Sequence, residues 1–286
     1  TPVLLAAIGE AVVEKSGVLN LGVEGMMITG AVIGFIFAVN TQIPIYGFIC
    51  AAIAGALLSV LFAVLTQYIM SNQVATGLGL TMVGLGLSAL IGKPYEGIKS
   101  PTVSKIEIPI LSDIPILGPM IFSHDAVVYF SVILVATVAF VISKTRIGLV
   151  LRAVGENQEA AHALGYKVVR IRFLAIMFGG ATAGIGGAYI SLARVPQWTE
   201  GMTAGAGWIA LALVVFASWK PWRVLLGAYL FGGITVLQLN LQAIGVAIPV
   251  EILSMSPYLV TIVVLVGISL FGHHTAPGSL ARPFHA

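Results

Sequence analysis

The sequence predicts an all-α protein, a polytopic bundle of transmembrane helices that forms a single domain over residues 1–286. Hydrophobic residues make up 58% of the chain and charged residues only 9%, and the mean hydropathy is +1.04. No Lys, Arg, Asp or Glu occurs between Glu24 and Lys93. Glycine is abundant, with 33 residues, as expected where helices approach closely in lipid. A soluble chain of this length needs more charge to cover its surface.

The hydrophobic segments predict about nine membrane segments, because a bilayer core of about 30 Å needs about 20 apolar residues as helix. The first segment, Val3 to Ile8, is too short to span, so we expect a truncated first helix whose start precedes Thr1. The segment at 206–219 is also short, and it either spans the membrane or is re-entrant. The segments after the first are expected at 20–39, 45–68, 74–92, 126–143, 171–193, 206–219, 224–244 and 257–271.

Residues 93–125 form the longest segment of low hydropathy, with five prolines and charges of both signs. Because prolines interrupt helices and mark loops, the segment is predicted to be an external loop. The β-branched residues from Ile106 to Ile110 favour a short hairpin within this loop.

Orientation follows from Lys and Arg, which collect in cytoplasmic loops. The loop at 144–170 and Arg172 directly behind it hold six of the chain's 14 basic residues, which predicts that this loop is cytoplasmic. Alternation of the spans then puts ten basic residues inside and four outside, with 93–125 outside and the C-terminus inside. The other basic residues on the predicted inner side are Lys15, Lys220, Arg223 and Arg282.

Several functional classes lack their characteristic residues in this sequence. A P-loop is absent, because the Gly92-Lys93 pair is followed by Pro94 and has no glycine at the required distance before it. The five histidines lie outside the predicted spans, and no metal-binding, cofactor-binding or catalytic constellation is visible. The formal charge of only +3 does not favour nucleic acid as a partner. We therefore expect no enzyme activity, no metal and no cofactor.

The polar segment at 155–165 separates two long hydrophobic segments and predicts a short helix. Acidic residues lie near its start and a glycine at its end, which suits the helix dipole and a left-handed C-cap. Such a helix, lying flat on the cytoplasmic face, is suited to docking into a groove of a partner, and the small Ala160 and Ala161 would let it seat deeply. The alternative is an ordinary amphipathic connector. The candidate contact residues are Gly155, Glu156, Glu159, Ala160, Ala161 and Gly165.

The same segment carries a resemblance to a known family. Glu159-Ala160-Ala161, followed after three residues by Gly165, resembles the EAA loop of ABC-importer permeases. These permeases are membrane subunits that couple to a separate ATPase. The position of the motif, in the most basic predicted loop of a multi-span chain, strengthens the resemblance.

A second resemblance lies in residues 16–27. They are similar to the E-R-x-G-x-x-N-x-G-x-E-G segment of permeases for branched-chain amino acids, simple sugars and nucleosides. Glu14-Lys15 stands in place of the E-R pair, and Ser16 separates it from Gly17. Residues 151–157, 179–187 and 207–212 resemble the same group. The overall layout looks most like the basic-membrane-protein-linked nucleoside importers.

The resemblance implies a permease subunit of an ATP-driven importer in a prokaryotic plasma membrane, with ATP hydrolysis on a partner chain. The implied partners are ABC ATPase subunits, a second and unlike permease subunit, and an extracytoplasmic substrate-binding protein. The implied solute is a nucleoside, with simple sugars or branched-chain amino acids as alternatives. An ion-coupled secondary transporter is a further alternative, but it would need a midplane ion site, and the predicted spans contain almost no acids.

Polar residues in or near the spans are candidates for the solute pathway. Their side chains can hydrogen-bond a polar solute, and equally one another across helices. Glu24, near the predicted cytoplasmic end of the second segment, either lines the pathway or braces a helix start through the backbone of residues 17–22. Trp208 can stack on a planar base or lie in the membrane interface. The candidates are Asn20, Glu24, Asn72, Gln73, Trp208, Gln238 and Asn240.

A glycine pattern predicts close helix packing near residue 180. Gly180 and Gly184 form a Gly-x-x-x-Gly pair, and Gly179, Ala183 and Gly187 repeat the spacing beside it. Small residues at this spacing permit close approach of helices in lipid. The pattern either serves plain packing or forms a surface that repacks during transport.

Overall fold

The computed structural model describes residues 1–107, 123–245, 249–271 and 276–284. Almost all regular structure in these ranges is helical, as predicted. A further turn of π-helix extends one helix to Tyr68 and another to Arg194. In chain order the α-helices are α1 (Pro2–Lys15), α2 (Val23–Thr41), α3 (Pro44–Ala63), α4 (Gln73–Gly92), α5 (Ala126–Lys144), α6 (Arg146–Glu156), α7 (Gln158–Ala163), α8 (Val168–Tyr189), α9 (Ala206–Phe216), α10 (Pro221–Ala243) and α11 (Val250–Phe271).

Six helices in the described part of the chain are long and apolar enough to cross a membrane. They correspond to α2, α3, α4, α5, α8 and α10, and each matches a predicted span within a few residues. The remaining apolar helices, α9 and the Glu251–Val264 part of α11, are shorter. The multi-span helical architecture is therefore confirmed, whereas the predicted count of about nine segments is not.

The short segment predicted at 206–219 forms α9, which has only 11 residues. At 1.5 Å per residue this helix is about 16 Å long, well below the thickness of the hydrocarbon core. The residues before α9 explain why this helix begins only at Ala206. Ala204 and Gly205 both have positive φ angles, 47° and 83°, which are incompatible with a helix, and Thr203 is already buried in the bundle.

The centre of the bundle is α8, because its small residues let three other helices approach closely. A Cβ on Gly184 would overlap the backbone of Ala51 in α3, and one on Gly187 would overlap the backbone of Met27 in α2. A Cβ on Gly179 would overlap the side chain of Val13 in α1. The close packing predicted from the glycine pattern is confirmed, and it involves more than one face of the helix.

The first helix, α1, belongs to the core of the bundle. Nearly all of its residues are buried, since α5, α6, α8, α9 and α10 pack around it. Its last turn reaches the end of the bundle where α6 also lies, and Gly155 of α6 packs directly on Lys15.

Segments that are distant in the sequence meet at each end of the bundle. At one end, the backbone of Glu96 pairs with that of Trp198. At the opposite end, Ser279 N donates a hydrogen bond to Gly155 O at 2.8 Å. This grouping agrees with the predicted alternation, which puts the start of the 93–125 loop with the end of α8 and puts α6 with the C-terminal residues.

A two-stranded antiparallel sheet lies in the loop before α5. It pairs β1 (Lys105–Glu107) with β2 (Ser123–Asp125), and Ile106 stands opposite His124. The hairpin predicted near Ile106 to Ile110 therefore begins in the expected place, but its second strand lies later in the chain. Residues 108–110 fall outside the described ranges.

Candidate functional site

The polar segment at 155–165 contains the end of α6 and the whole of α7. Helix α6 ends because Asn157 adopts an extended conformation, with φ of −146° and ψ of 98°. Its side-chain oxygen accepts a hydrogen bond from Ala160 N at 3.0 Å, which caps the first turn of α7. Gly165, with φ of +86°, follows in the left-handed conformation that glycine adopts without strain. The predicted helix is therefore six residues long and starts after Asn157.

The outward side of α7 carries Glu159 and Ala160, and both residues are exposed. Glu159 lies in the first turn, where the helix dipole favours an acid. Leu164, directly after the helix, is 76% exposed. We call Glu159, Ala160 and Leu164 the outer face of α7. Glu156 and Gly165 are exposed beside it, so these residues are accessible to a partner protein.

Two of the predicted contact residues face the interior instead. Ala161 is 2% exposed and packs in an apolar cluster with Val154 and Phe284. Gly155 is buried where α6 crosses the end of α1, and a Cβ there would overlap Lys15 O. The expectation that Ala161 lets the helix seat in a partner does not fit this position. The small side chain of Ala161 packs on its own chain instead.

Comparison with known proteins identifies the chain at the level of its family. The sequence profile of a family described as "branched-chain amino acid transport system / permease component" matches residues 1–268. The chain belongs to this family of ABC permeases. Such permeases are transport subunits that work with separate ATPase subunits, so this permease is not an enzyme.

The alignments with individual relatives include nearly the whole permease. It is 39% identical to the putative glucose ABC transporter permease protein of Haloferax volcanii, over 93% of this chain and 87% of the relative. It is 33% identical to the guanosine ABC transporter permease protein NupQ of Bacillus subtilis, over 99% and 92%. It is also 33% identical to the nucleoside ABC transporter permease protein NupC of Lactococcus lactis, over 93% and 88%. A second guanosine permease protein of Bacillus subtilis, NupP, is 25% identical over 99% and 82%. No solved structure matches the permease.

Among the polar candidates in the membrane, Glu24 holds the start of a different helix. Its carboxylate accepts hydrogen bonds from Thr203 Oγ1 at 2.6 Å, from Gly205 N at 2.9 Å and from Gly207 N at 2.6 Å. Residues 203–207 lead into α9, so the carboxylate binds N–H groups at the positive end of that helix dipole. Glu24 therefore braces a helix start, as one interpretation predicted, but it braces α9 and not residues 17–22.

Glu24 lies in the first turn of α2, near the end of the second segment as predicted, and it is 3% exposed. The neighbouring Gly25 packs so tightly that a Cβ on it would lie 2.7 Å from Leu80 O. Because Leu80 lies two turns into α4, the first turn of α2 packs beside the interior of that helix and not beside its first turn. An acid buried in this way requires donors for both oxygens, and the start of α9 supplies them.

Asn20 and Gln73 stabilise the loop between α1 and α2. Gln73 Oε1 accepts a hydrogen bond from Leu19 N at 2.9 Å, and Asn20 Oδ1 accepts one from Gly22 N at 3.0 Å. Both side chains are buried. The two residues, 53 positions apart in the sequence, are thus brought together on one stretch of backbone, and their side-chain oxygens bind the protein itself.

The other pathway candidates have more exposed side chains. Asn72 is exposed and caps the first turn of α4. Trp208 is 43% exposed and follows Gly207, which packs on Glu24. Gln238 and Asn240 lie on α10, where Gln238 is half-buried and Asn240 is exposed. Trp208 therefore lies at the start of α9, directly after the residue that packs on Glu24, whereas Gln238 and Asn240 lie on another helix.

Two buried acids that were not among the predicted site residues, Glu10 and Glu14, lie in α1. Each is 1% exposed. Glu10 accepts a hydrogen bond from Asn20 N at 3.3 Å, and Glu14 accepts one from Trp219 Nε1 at 2.5 Å. The sequence feature that could have indicated them is their spacing of four residues in an apolar segment, because this spacing places both side chains on one face of a helix. They join α1 to the α1–α2 loop and to the residues after α9.

Proposed function

We propose that this permease carries a nucleoside into the cell as one half of the membrane part of an ATP-driven importer. The observation that carries the coupling role is the outer face of α7, which is exposed and carries Glu159 while the inner face of the helix packs on the bundle. The solute is supported by relatives at 33% identity over almost their whole length, whose names specify guanosine and nucleosides. The scarcity of charges in the spans also favours a neutral polar solute.

In the proposed mechanism, α7 is the contact through which the ATPase moves the permease. The ATPase binds the outer face of α7, and its closure on ATP displaces that helix. Because Gly155 lies directly on the end of α1, the displacement reaches a helix in the core of the bundle. The bundle then alternates between outward and inward openings, as rigid elements rock about a central site.

We propose further that the complete importer contains a second, unlike permease and a substrate-binding protein. Two guanosine permease proteins of Bacillus subtilis both match this chain, at 33% and 25% identity, which supports a pair of unlike permeases. The substrate-binding protein would dock at the end of the bundle where Glu96 pairs with Trp198.

For the solute pathway we propose the side chains that retain exposed surface, namely Trp208, Gln238, Asn240 and Asn72. Asn20, Glu24 and Gln73 are proposed to act indirectly. Their side-chain oxygens bind backbone groups of this chain, so they shape the pathway by holding α9 and the loop between α1 and α2.

The proposed orientation puts the loop at 144–170 and the C-terminus in the cytoplasm of a prokaryotic cell. The exposed Ala160 offers a test. A cysteine at this position (Ala160→Cys) is expected to react with a membrane-impermeant maleimide in inside-out vesicles and not in intact cells. Ala161→Cys is the matched control, because the 2% exposure of Ala161 should protect it from either side. Labelling of Ala160→Cys in intact cells would show that the orientation is the opposite of the proposed one.

The solute is tested with the complete importer in proteoliposomes, containing both permeases, the ATPase and the binding protein. We expect ATP-dependent uptake of guanosine that unlabelled nucleosides suppress and that glucose and leucine leave unchanged. Uptake without ATP, driven by an ion gradient, would contradict the ATP-driven mechanism.

Glucose is a second candidate solute because of the 39% identity to a putative glucose permease. The same assay separates the two candidates. Uptake of glucose that guanosine does not suppress would replace the nucleoside by a sugar, while the ATP-driven mechanism would stand.

A further inference from the structure

Residues 276–284, which we call the C-terminal tail, lie across the junction between α6 and α7. Ser279 makes three hydrogen bonds to the backbone of that junction. Its backbone N donates to Gly155 O at 2.8 Å, and its Oγ accepts a hydrogen bond from Gln158 N at 3.1 Å. The same hydroxyl donates to Glu156 O at 3.4 Å. Ser279 is 4% exposed, and hydrogen bonds shielded from water in this way are electrostatically stronger.

The end of the tail packs against α7 itself. The Phe284 ring lies 5.2 Å from the His162 ring in an edge-to-face arrangement and belongs to the same apolar cluster as Ala161. Gln158 Nε2 donates a hydrogen bond to Pro283 O at 2.9 Å. The inner face of α7 is therefore covered by the tail, while its outer face remains exposed.

A buried arginine connects the tail to the membrane helices. Arg172, in the first turns of α8, is 0% exposed. Its Nε donates to Ser16 O, directly after α1, at 3.1 Å, and its Nη1 donates to Arg282 O at 3.2 Å. A buried guanidinium is costly unless carbonyl oxygens or an anion satisfy it. This requirement gives the end of α1, the start of α8 and the tail a specific relative arrangement.

Helix α7 depends on these contacts, because it has only six residues. A helix this short has no intrinsic stability in water, so neighbouring groups must hold it. The backbone connects α7 to α6 through Asn157, which is extended, and to the following residues through Gly165, which is left-handed. The inner face belongs to one apolar cluster with Val154 of α6 and Val168 of α8. The tail adds Phe284 to this cluster and binds Gln158 at both its backbone and its side chain.

We propose that the C-terminal tail is a strut that makes α7 one rigid unit with α1 and α8. The inference rests on the proposed role of α7 as the contact with the ATPase. A displacement of α7 then reaches α1 and α8 through Ser279, Phe284 and Arg172. Without the tail, the ATPase still binds the outer face and hydrolyses ATP, but α7 yields locally and the membrane helices do not follow. Ser279 and Phe284 are thus positioning residues for coupling.

The test uses the complete importer in proteoliposomes, with solute uptake and ATP hydrolysis measured in the same preparation. For Ser279→Ala and Phe284→Ala we expect uptake per ATP hydrolysed to fall about tenfold, the size expected when one buried hydrogen-bonding or packing group is lost. Co-purification of the ATPase and the hydrolysis rate should remain within about twofold of the wild type. Arg282→Ala is the matched control, because it changes an exposed side chain of the tail and retains the carbonyl that Arg172 binds. Uptake per ATP hydrolysed in Arg282→Ala should equal that of the wild type.

A conservative variant separates positioning from folding. Phe284→Leu retains an apolar side chain in the cluster, and we expect it to restore at least half of the coupling lost in Phe284→Ala. A wild-type ratio of uptake to ATP hydrolysis in both Ser279→Ala and Phe284→Ala would overturn the strut. Loss of ATPase binding in Ser279→Ala, Phe284→Ala and Phe284→Leu would also overturn it, because the tail would then only stabilise the docking site. Failure of the proposed function itself is distinguishable, since the wild-type importer would then show no ATP-dependent uptake.

Discussion

Replacing Glu159 by lysine is expected to abolish solute uptake while the permease still inserts and folds. Glu159 is exposed on the outer face of α7, and exposed substitutions usually change the free energy of unfolding by less than about 0.5 kcal/mol. A reversed charge at a complementary contact costs about 2 kcal/mol or more, which corresponds to a fall in uptake of at least about thirtyfold. The measurement is uptake in membrane vesicles, normalised to the amount of permease in the membrane.

The control for this experiment is the same charge reversal at the opposite end of the molecule, Glu200→Lys. Glu200 is also exposed and follows Trp198, far from α7. Co-purification of the ATPase should be lost in Glu159→Lys and retained in Glu200→Lys. Full uptake by Glu159→Lys would remove the outer face of α7 from the coupling mechanism and return this segment to the alternative of a plain connector.

A single added methyl group at Gly184 is expected to be strongly destabilising. A Cβ there would overlap the carbonyl oxygen of Ala51, and a backbone atom cannot rotate away as a side chain can. α3 and α8 must therefore separate along their contact. We expect Gly184→Ala to lower the free energy of unfolding by about 3 kcal/mol, the upper end of the usual cost of overpacking. The unfolding temperature in mild detergent should fall by roughly 6 to 12 °C.

Gly86→Ala is the matched control, because among the described residues nothing lies within 4 Å of a Cβ built on Gly86. The same change of residue type in a membrane helix should then leave the unfolding temperature nearly unchanged. Equal stability of Gly184→Ala and the wild type would refute the tight contact. A stable Gly184→Ala permease without uptake would instead favour the second interpretation of the glycine pattern, a surface that repacks during transport.

The parts of the fold that were predicted correctly depend on local composition. A span needs a sufficient run of apolar residues, because no water satisfies the backbone inside lipid, and this requirement is visible in the sequence one window at a time. Six predicted spans agree with the structure within a few residues. The end of α7 shortly before Gly165 was also predicted from a local feature, since glycine favours the left-handed backbone that follows a helix terminus. Its start was misplaced because Asn157, and not Gly155, interrupts the helix.

The sequence does not indicate the direction in which a residue of the 155–165 segment faces. Ala161 belongs to the motif at 159–165, but the side of α7 that it occupies is covered by a tail more than 100 residues later in the chain. The end of α1 likewise packs directly on Gly155. No local pattern indicates which side of a six-residue helix meets its own chain.

From the sequence by itself follow the membrane class, the positions of most spans, the grouping of loops at each end and the resemblance to ABC permeases. These depend on hydropathy, charge and short motifs, which are local properties. Only the tertiary structure decided that Glu24 caps α9, that Arg172 joins α1 to the C-terminal tail, and that this tail supports α7. The physical reason is that a buried polar group must find a partner wherever the fold brings one, and these partners lie between 110 and 183 positions away in the sequence.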